Sequence, residues 1–313
     1  MNKIGIIQDP HYLEHITGLH HPECPERLKA IQQMLDQSGL IKKCVSLQAR
    51  IATEDEIALV HTPEMIQSVK NTAGKTSTYL DGDTHASEHS WEAAQLAVGG
   101  LLSAVDELME AKLDAAFAFP RPPGHHAERD HAMGFCLFNN VAVAAEYALK
   151  KFGLKKVLIL DFDVHHGNGT QHIFEQRSDV FYISTHQYPF YPGTGAEDER
   201  GKGAGKGYTL NLPLPGGCND KIYHQQFVEY IEPTVKNYQP DFLIISAGFD
   251  AHIKDPLGGM EVTKQGFRAM AESIGRMQKA CGSIPLLYAL EGGYSLEGLS
   301  ESVKEVVETM TQN

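Results

Sequence analysis

Residues 157–171 read VLILDFDVHHGNGTQ. Four aliphatic residues in unbroken succession, Val157 to Leu160, describe a strand buried on both faces, as in a parallel sheet covered by helices. The polar turn that follows holds Asp161, Asp163 and His165. If the strand continued past Leu160, these three would fall at i, i+2 and i+4 and point the same way. Oxygen with nitrogen ligation suits zinc, iron or manganese, and the lack of a thiol argues against a closed structural zinc site. A plainer alternative is an acidic turn capping a helix that opens near Gly169.

The neighbouring sequence repeats the pattern. Apolar strands are predicted at Lys3 to Gln8, Ala115 to Phe119, Val180 to Ser184, Tyr208 to Leu214, Phe242 to Ser246 and Pro285 to Leu290. Between them lie helical patterns at Pro25 to Gln37, Glu88 to Lys112, Asn139 to Phe152, Asp220 to Tyr238, Thr263 to Ala280 and Leu296 to Met310. Thr53 to Glu56 reads as a capping box and Thr62-Pro63-Glu64 as a further helix start. Asp9 to Glu23 and Pro189 to Gly207 read as loops. Alternating units of this kind specify an α/β fold, a mainly parallel central sheet with helices on both faces, in three layers. With no linker or repeat, one domain over residues 1–313 is expected.

The chain has 313 residues, 42% of them hydrophobic, and a formal net charge of −13. That charge offers phosphates no basic field, so a direct nucleic-acid partner is not expected and cationic substrates are favoured. Five scattered cysteines without a CxxC pair suit a reducing compartment. No run approaches the roughly 20 apolar residues of a membrane span. The expectation is a cytoplasmic protein, for which a homo-oligomer is compatible.

Other polar clusters follow the predicted strands. Arg121 to His126 (RPPGHH) comes after the strand ending at Phe119, Asp250 after that ending near Ser246, and Glu291 to Tyr294 (EGGY) after Leu290. With Asp163 and His165 they collect beyond strand carboxyl ends, where open parallel sheets bind ligands.

Taken together, HHPECPER (20–27), DGDT (81–84), RPPGHHA (121–127), GFCLFNN (134–140), LDFDVHHGNGTQ (160–171), YPGTG (191–195), SAGFDAHIKDPLGG (246–259) and EGGY (291–294) give the chain its resemblance to a known family. It resembles the zinc-dependent histone deacetylases and acetylpolyamine amidohydrolases, of the arginase-deacetylase superfamily, over nearly its whole length. The resemblance implies one zinc held by Asp163, His165 and Asp250, and tandem histidines His125 and His126, with His126 as general base and acid. Asp161 would stand behind His125, and Tyr294 would donate to the oxyanion. It also implies a potassium site at Asp161 and Ser184 with Asp163 and His165. Gly134, Phe135, Tyr191 and Leu257 would form a substrate tunnel, Asp83 its rim, and Arg27 an inner channel.

Substrates so implied are acylated lysine, acylated polyamine or another small acylated amine. Where many members have an aspartate behind the second histidine, this chain has Asn168, as class II-like members do, and an amide should leave His126 with the lower pKa. Glu291 is expected to serve the turn, and His172 has no assigned chemistry. A dimanganese ureohydrolase on the same fold would leave Tyr294 without a task, and an inactive acyl-lysine reader would not need this full set. A zinc peptidase usually carries HExxH, which does not occur here.

Overall fold

The computed structural model describes residues 2–312; Met1 and Asn313, the ends of the expected domain span, lie outside the described residues. In chain order the elements are β1 (Ile4–Ile7), α1 (Glu26–Ser38), β2 (Val45–Leu47), α2 (Glu54–Ile57) and α3 (Pro63–Lys70). A hairpin of β3 (Thr78–Tyr79) and β4 (His85–Ala86) precedes α4 (Ser90–Met109), β5 (Ala115–Ala118), α5 (Asn140–Phe152) and β6 (Val157–Asp161). There follow α6 (Asn168–Phe174), β7 (Val180–Gln187), β8 (Thr209–Leu214), α7 (Asp220–Gln226) and α8 (Glu232–Tyr238). β9 (Phe242–Ala247), α9 (Lys264–Ala280), β10 (Leu286–Leu290) and α10 (Leu296–Gln312) complete the chain.

Among the described residues, eight strands form one sheet in the order β2-β1-β5-β10-β9-β6-β7-β8, every pairing parallel, so the expected α/β architecture is the one observed. Side-chain alternation divides the core in two. Leu158 and Leu160 of β6 join a cluster with α1, α9 and α10, while Val157 and Ile159 join one with α3, α4 and α5. Helices therefore cover both faces, which is why the central strands read as continuous apolar runs.

Several expectations are corrected in detail. β6 ends at Asp161, where the Asp163 N–H bonds back to Asp161 Oδ1 at 3.1 Å, so strand alternation does not carry Asp161, Asp163 and His165 onto one face. The edge strand β2 and the β3–β4 hairpin were not anticipated, and the Asp9–Glu23 loop contains a 3-10 turn at Pro10–Glu14 capped by Asp9. The Asp220–Tyr238 helix is interrupted by a π turn at Phe227–Ile231. Pro233 has no N–H to give the carbonyl four residues back, and the wider turn lets the chain pass it. The capping box at Thr53 is formed, with both reciprocal bonds present.

Candidate metal and catalytic site

The carboxyl ends of β5, β10, β9 and β6 are neighbours, and the loops they launch build one pocket. Asp163 and His165 leave β6, and Asp250 leaves β9. One ligand atom from each of these three lies within 4.8 Å of the others. His165 Nδ1 is 3.1 Å from Asp163 Oδ1 and 3.2 Å from Asp250 Oδ2. Backbone donors fix the outer oxygens: Gly292 N–H to Asp163 Oδ2 at 2.8 Å, and Val164 N–H to Asp250 Oδ1 at 2.8 Å. A Cβ on Gly292 would collide with both carboxylates, so only glycine lets the β10 loop close over them.

Two fully buried carboxylates against one imidazole form an unbalanced set. Burial and the neighbouring Asp163 push the Asp250 carboxyl up to about 7, while His125 and His165 overcome burial to hold Asp163 below its ordinary range. A divalent cation removes that conflict, and the donor set of two oxygens and one nitrogen suits zinc, iron or manganese.

His125 and His126 lie on the loop after β5 with ring centroids 4.0 Å apart. His125 Nδ1 is 3.0 Å from Asp161 Oδ2, which also accepts from Tyr182 Oη at 3.0 Å. Burial would lower His125, but Asp161 and Asp163 outweigh it and raise the imidazole to about 10. His126 Nδ1 is 2.8 Å from Asn168 Oδ1; burial, with the positive charges of His125 and His165, pushes this ring well below the ordinary histidine range. The two rings are thus driven apart, a common sign of divided proton duties. Asn139 steadies their loop, its Nδ2 donating to the Ala127 carbonyl at 3.3 Å and to Thr170 Oγ1 at 3.1 Å.

A cavity of about 230 Å³ opens over these groups. Its lining includes the expected Gly134, Phe135, Tyr191, Leu257 and Asp83 together with His126, His165 and Tyr294. Gly134, at φ +57°, lies so close to the His126 ring that a side chain there would displace it. Asp83 accepts the Gly134 N–H at 3.2 Å. Tyr294 faces the cavity, with its ring T-shaped against Phe135 at 5.9 Å. Among the described residues its hydroxyl has no hydrogen-bond partner, so the donor is left for a ligand.

Ser184 is the register partner of Asp161 across β6 and β7; it is fully buried, and its Oγ is 2.9 Å from His186 Nδ1. Arg27 is also fully buried. It donates to the Gly293 carbonyl at 2.7 Å and to the Glu291 carbonyl, with its guanidinium 5.0 Å from the Tyr294 ring centroid, so it stands behind the tyrosine and not on the cavity wall. The Glu291 carboxylate reaches out of its own turn to the tandem-histidine loop and to β9, accepting from the Gly124 N–H at 2.7 Å, the His125 N–H at 3.2 Å and Ser246 Oγ at 3.0 Å.

Sequence reasoning missed three contributors. Phe190 stacks on His165 at 5.5 Å and lines the cavity, hidden in a loop whose next residue took the attention. Asp255 accepts the N–H groups of Tyr294 (2.6 Å), Ser295 (3.0 Å) and Leu257 (2.9 Å), pinning the phenol and a tunnel wall at once. Its signal was the Asp-Pro turn start at 255–256. Glu23 accepts from Arg121 and Arg27, with all three side chains buried, and so ties the tandem-histidine loop to the β10 loop. It was quoted only as part of a motif.

A family model described as the histone deacetylase domain matches residues 21–310. Histone deacetylase 15 of Arabidopsis thaliana is 45% identical over 93% of this chain, and a probable deacetylase of Archaeoglobus fulgidus is 39% identical over 94% of this chain and 82% of its own length. The crystal structure of the HDA15 HD domain superposes with a TM-score of 0.95 at 43% identity, covering 100% of this chain and 89% of that one. The chain spans about half the length of histone deacetylases 15, 5 and 18 of Arabidopsis thaliana (52%, 49% and 48%). With a family model covering all but its ends, and with an aspartate–histidine–aspartate cluster beneath paired histidines at the carboxyl edge of the sheet, this chain belongs to the histone deacetylase family.

Proposed function

We propose that the protein is a zinc-dependent amidohydrolase that removes acyl groups, chiefly acetyl, from amine nitrogen in acyl-lysine or acylpolyamine substrates. The observation that carries this reading is the convergence of Asp163, His165 and Asp250 with His126 and the unpartnered Tyr294 hydroxyl around one narrow cavity. Zinc in that cluster would polarise the acyl carbonyl and acidify a water. His126, kept neutral by its surroundings, accepts the proton of the attacking water and returns it to the leaving amine. His125, held by Asp161, supplies positive charge beside it. Tyr294 donates its hydroxyl to the oxygen on which negative charge develops. Phe135, Phe190, Tyr191 and Leu257 wall off an apolar slot suited to a methylene chain, and Asp83 at the rim suits substrate N–H donors.

The buried Asp161 carboxylate beside Ser184 supports a structural monovalent cation, potassium, held with Asp163 and His165. The five free cysteines support a reducing compartment such as the cytoplasm.

Tyr294→Phe tests the reading. Turnover of acetyl-lysine peptides or acetylpolyamines is expected to fall roughly 100- to 1,000-fold, with zinc content by mass spectrometry unchanged. An unaltered rate rejects the oxyanion role, and two manganese ions per chain would favour a ureohydrolase.

A further inference from the structure

A carboxylate stands one residue behind the amide that holds His126. Asn168 is buried; its Oδ1 lies 2.8 Å from His126 Nδ1, and its Nδ2 lies 2.6 Å from Glu128 Oε1 and 3.3 Å from the His126 carbonyl oxygen. Nδ2 also lies 3.3 Å from Met133 Sδ. Glu128 Oε1 accepts from His172 Nδ1 on its other side, at 2.8 Å. The Glu128 side chain is 13% exposed, and that of His172 is 37% exposed. The chain His126–Asn168–Glu128–His172 thus runs from the cavity to the surface.

An amide can sit either way round, and its neighbours decide which. Glu128 and the His126 carbonyl are both pure acceptors, so they claim the two N–H bonds of Asn168 and turn its oxygen toward the ring. An oxygen there requires a proton on His126 Nδ1, which leaves the lone pair on Nε2, the nitrogen free for the cavity. Turned over, the amide would set oxygen against a carboxylate and place N–H against Nδ1. The ring proton would then move to Nε2, and the ring would face the substrate unable to take a proton.

We infer that Glu128 is a positioning residue that, acting through Asn168, fixes the tautomer of His126. The inference rests on the general-base role proposed above. It also accounts for an amide sufficing beside His126: the carboxylate stands outward by one side chain, and the amide relays its orienting effect but no proton.

The zinc-loaded enzyme with an acetyl-lysine peptide provides the test. Glu128→Ala is expected to lower kcat about 10- to 100-fold, the usual cost of losing an orienting partner, with KM and zinc content unchanged. Glu128→Gln keeps an acceptor oxygen and should recover most of the rate. In an Asn168→Ala background Glu128→Ala should cost nothing more, since the two act in series. A wild-type kcat in Glu128→Ala, or an equal loss in the Asn168→Ala background, overturns the inference. Should Glu128→Ala fail to fold, nitrogen NMR of His126 in the wild-type enzyme decides: a proton on Nδ1 supports the inference, one on Nε2 refutes it. His126→Ala separates the two levels. If it is fully active, the base reading itself fails; if it is inactive while Glu128→Ala is normal, only the role of Glu128 falls.

Discussion

Glu23 is a buried carboxylate held by two guanidinium groups, those of Arg121 and Arg27, whose other donors reach the carbonyls of Tyr12, His15, Glu291 and Gly293. Burial alone would raise its pKa, but the charges of Arg121 and Arg27 overcome this and hold it at about 2. Because the folded value lies below the ordinary 4.5, the stability Glu23 contributes is fully present above pH 4.5 and is lost as pH falls toward about 2. Glu23→Gln strands two buried cations, so urea unfolding at pH 7 should show a loss of roughly 3–5 kcal/mol. The gap between variant and wild type should close between pH 4.5 and about 2. At this scale the sequence named the residues that share a motif, and the structure gathers Asp163, His165, Asp250, His126 and Tyr294 around one pocket. Glu23, Asp255 and Glu128 escaped because the partners that give them their roles, Arg121, Tyr294 and Asn168, lie 98, 39 and 40 positions away, which neither spacing nor periodicity records.

Helices and long strands were legible because each carries its own punctuation. Thr53 and Thr62 cap their helices through side-chain oxygens, and Gly153 ends α5 in a left-handed turn. Two-residue strands such as β3 and β4 are too short to show a period, and the π turn before Pro233 reflects one missing N–H inside an otherwise continuous helical pattern. The apolar face of α4 gave its length but not its closest approach. At Gly99 the helix meets the backbone of the 50–52 segment, where a Cβ would strike the Arg50 carbonyl; Ala52 N–H bonds the Gln95 carbonyl at 3.1 Å just beside it. Alanine is the better helix former by about 1 kcal/mol, yet Gly99→Ala should be destabilising by about 1–3 kcal/mol because neither backbone can give way. A lower urea midpoint with an unchanged slope would register it, and a higher midpoint would show that the segment yields.

Over the molecule as a whole, the formal charge of −13 sets a field that attracts cations and weakens with salt. For an acetyl-lysine peptide flanked by arginines, kcat/KM should fall several-fold between about 0.01 M and 0.15 M salt, where the screening length shortens from roughly 30 Å to 8 Å. An uncharged peptide of equal length should be nearly indifferent, and equal salt responses would discount steering. Strand order was the part of the fold that sequence did not disclose, since alternating β and α units are compatible with many arrangements. The observed order has a consequence for biosynthesis. β10, the last strand of this sheet in chain order, lies between β5 and β9, both made earlier. Without it the native order leaves two unconnected groups of strands, β2-β1-β5 and β9-β6-β7-β8, whose facing borders have no partner, and an unpaired border is a place for wrong pairing. The strand that closes this seam also carries Gly292 and Tyr294 on its following loop, so the sheet and the pocket are completed by the same late segment.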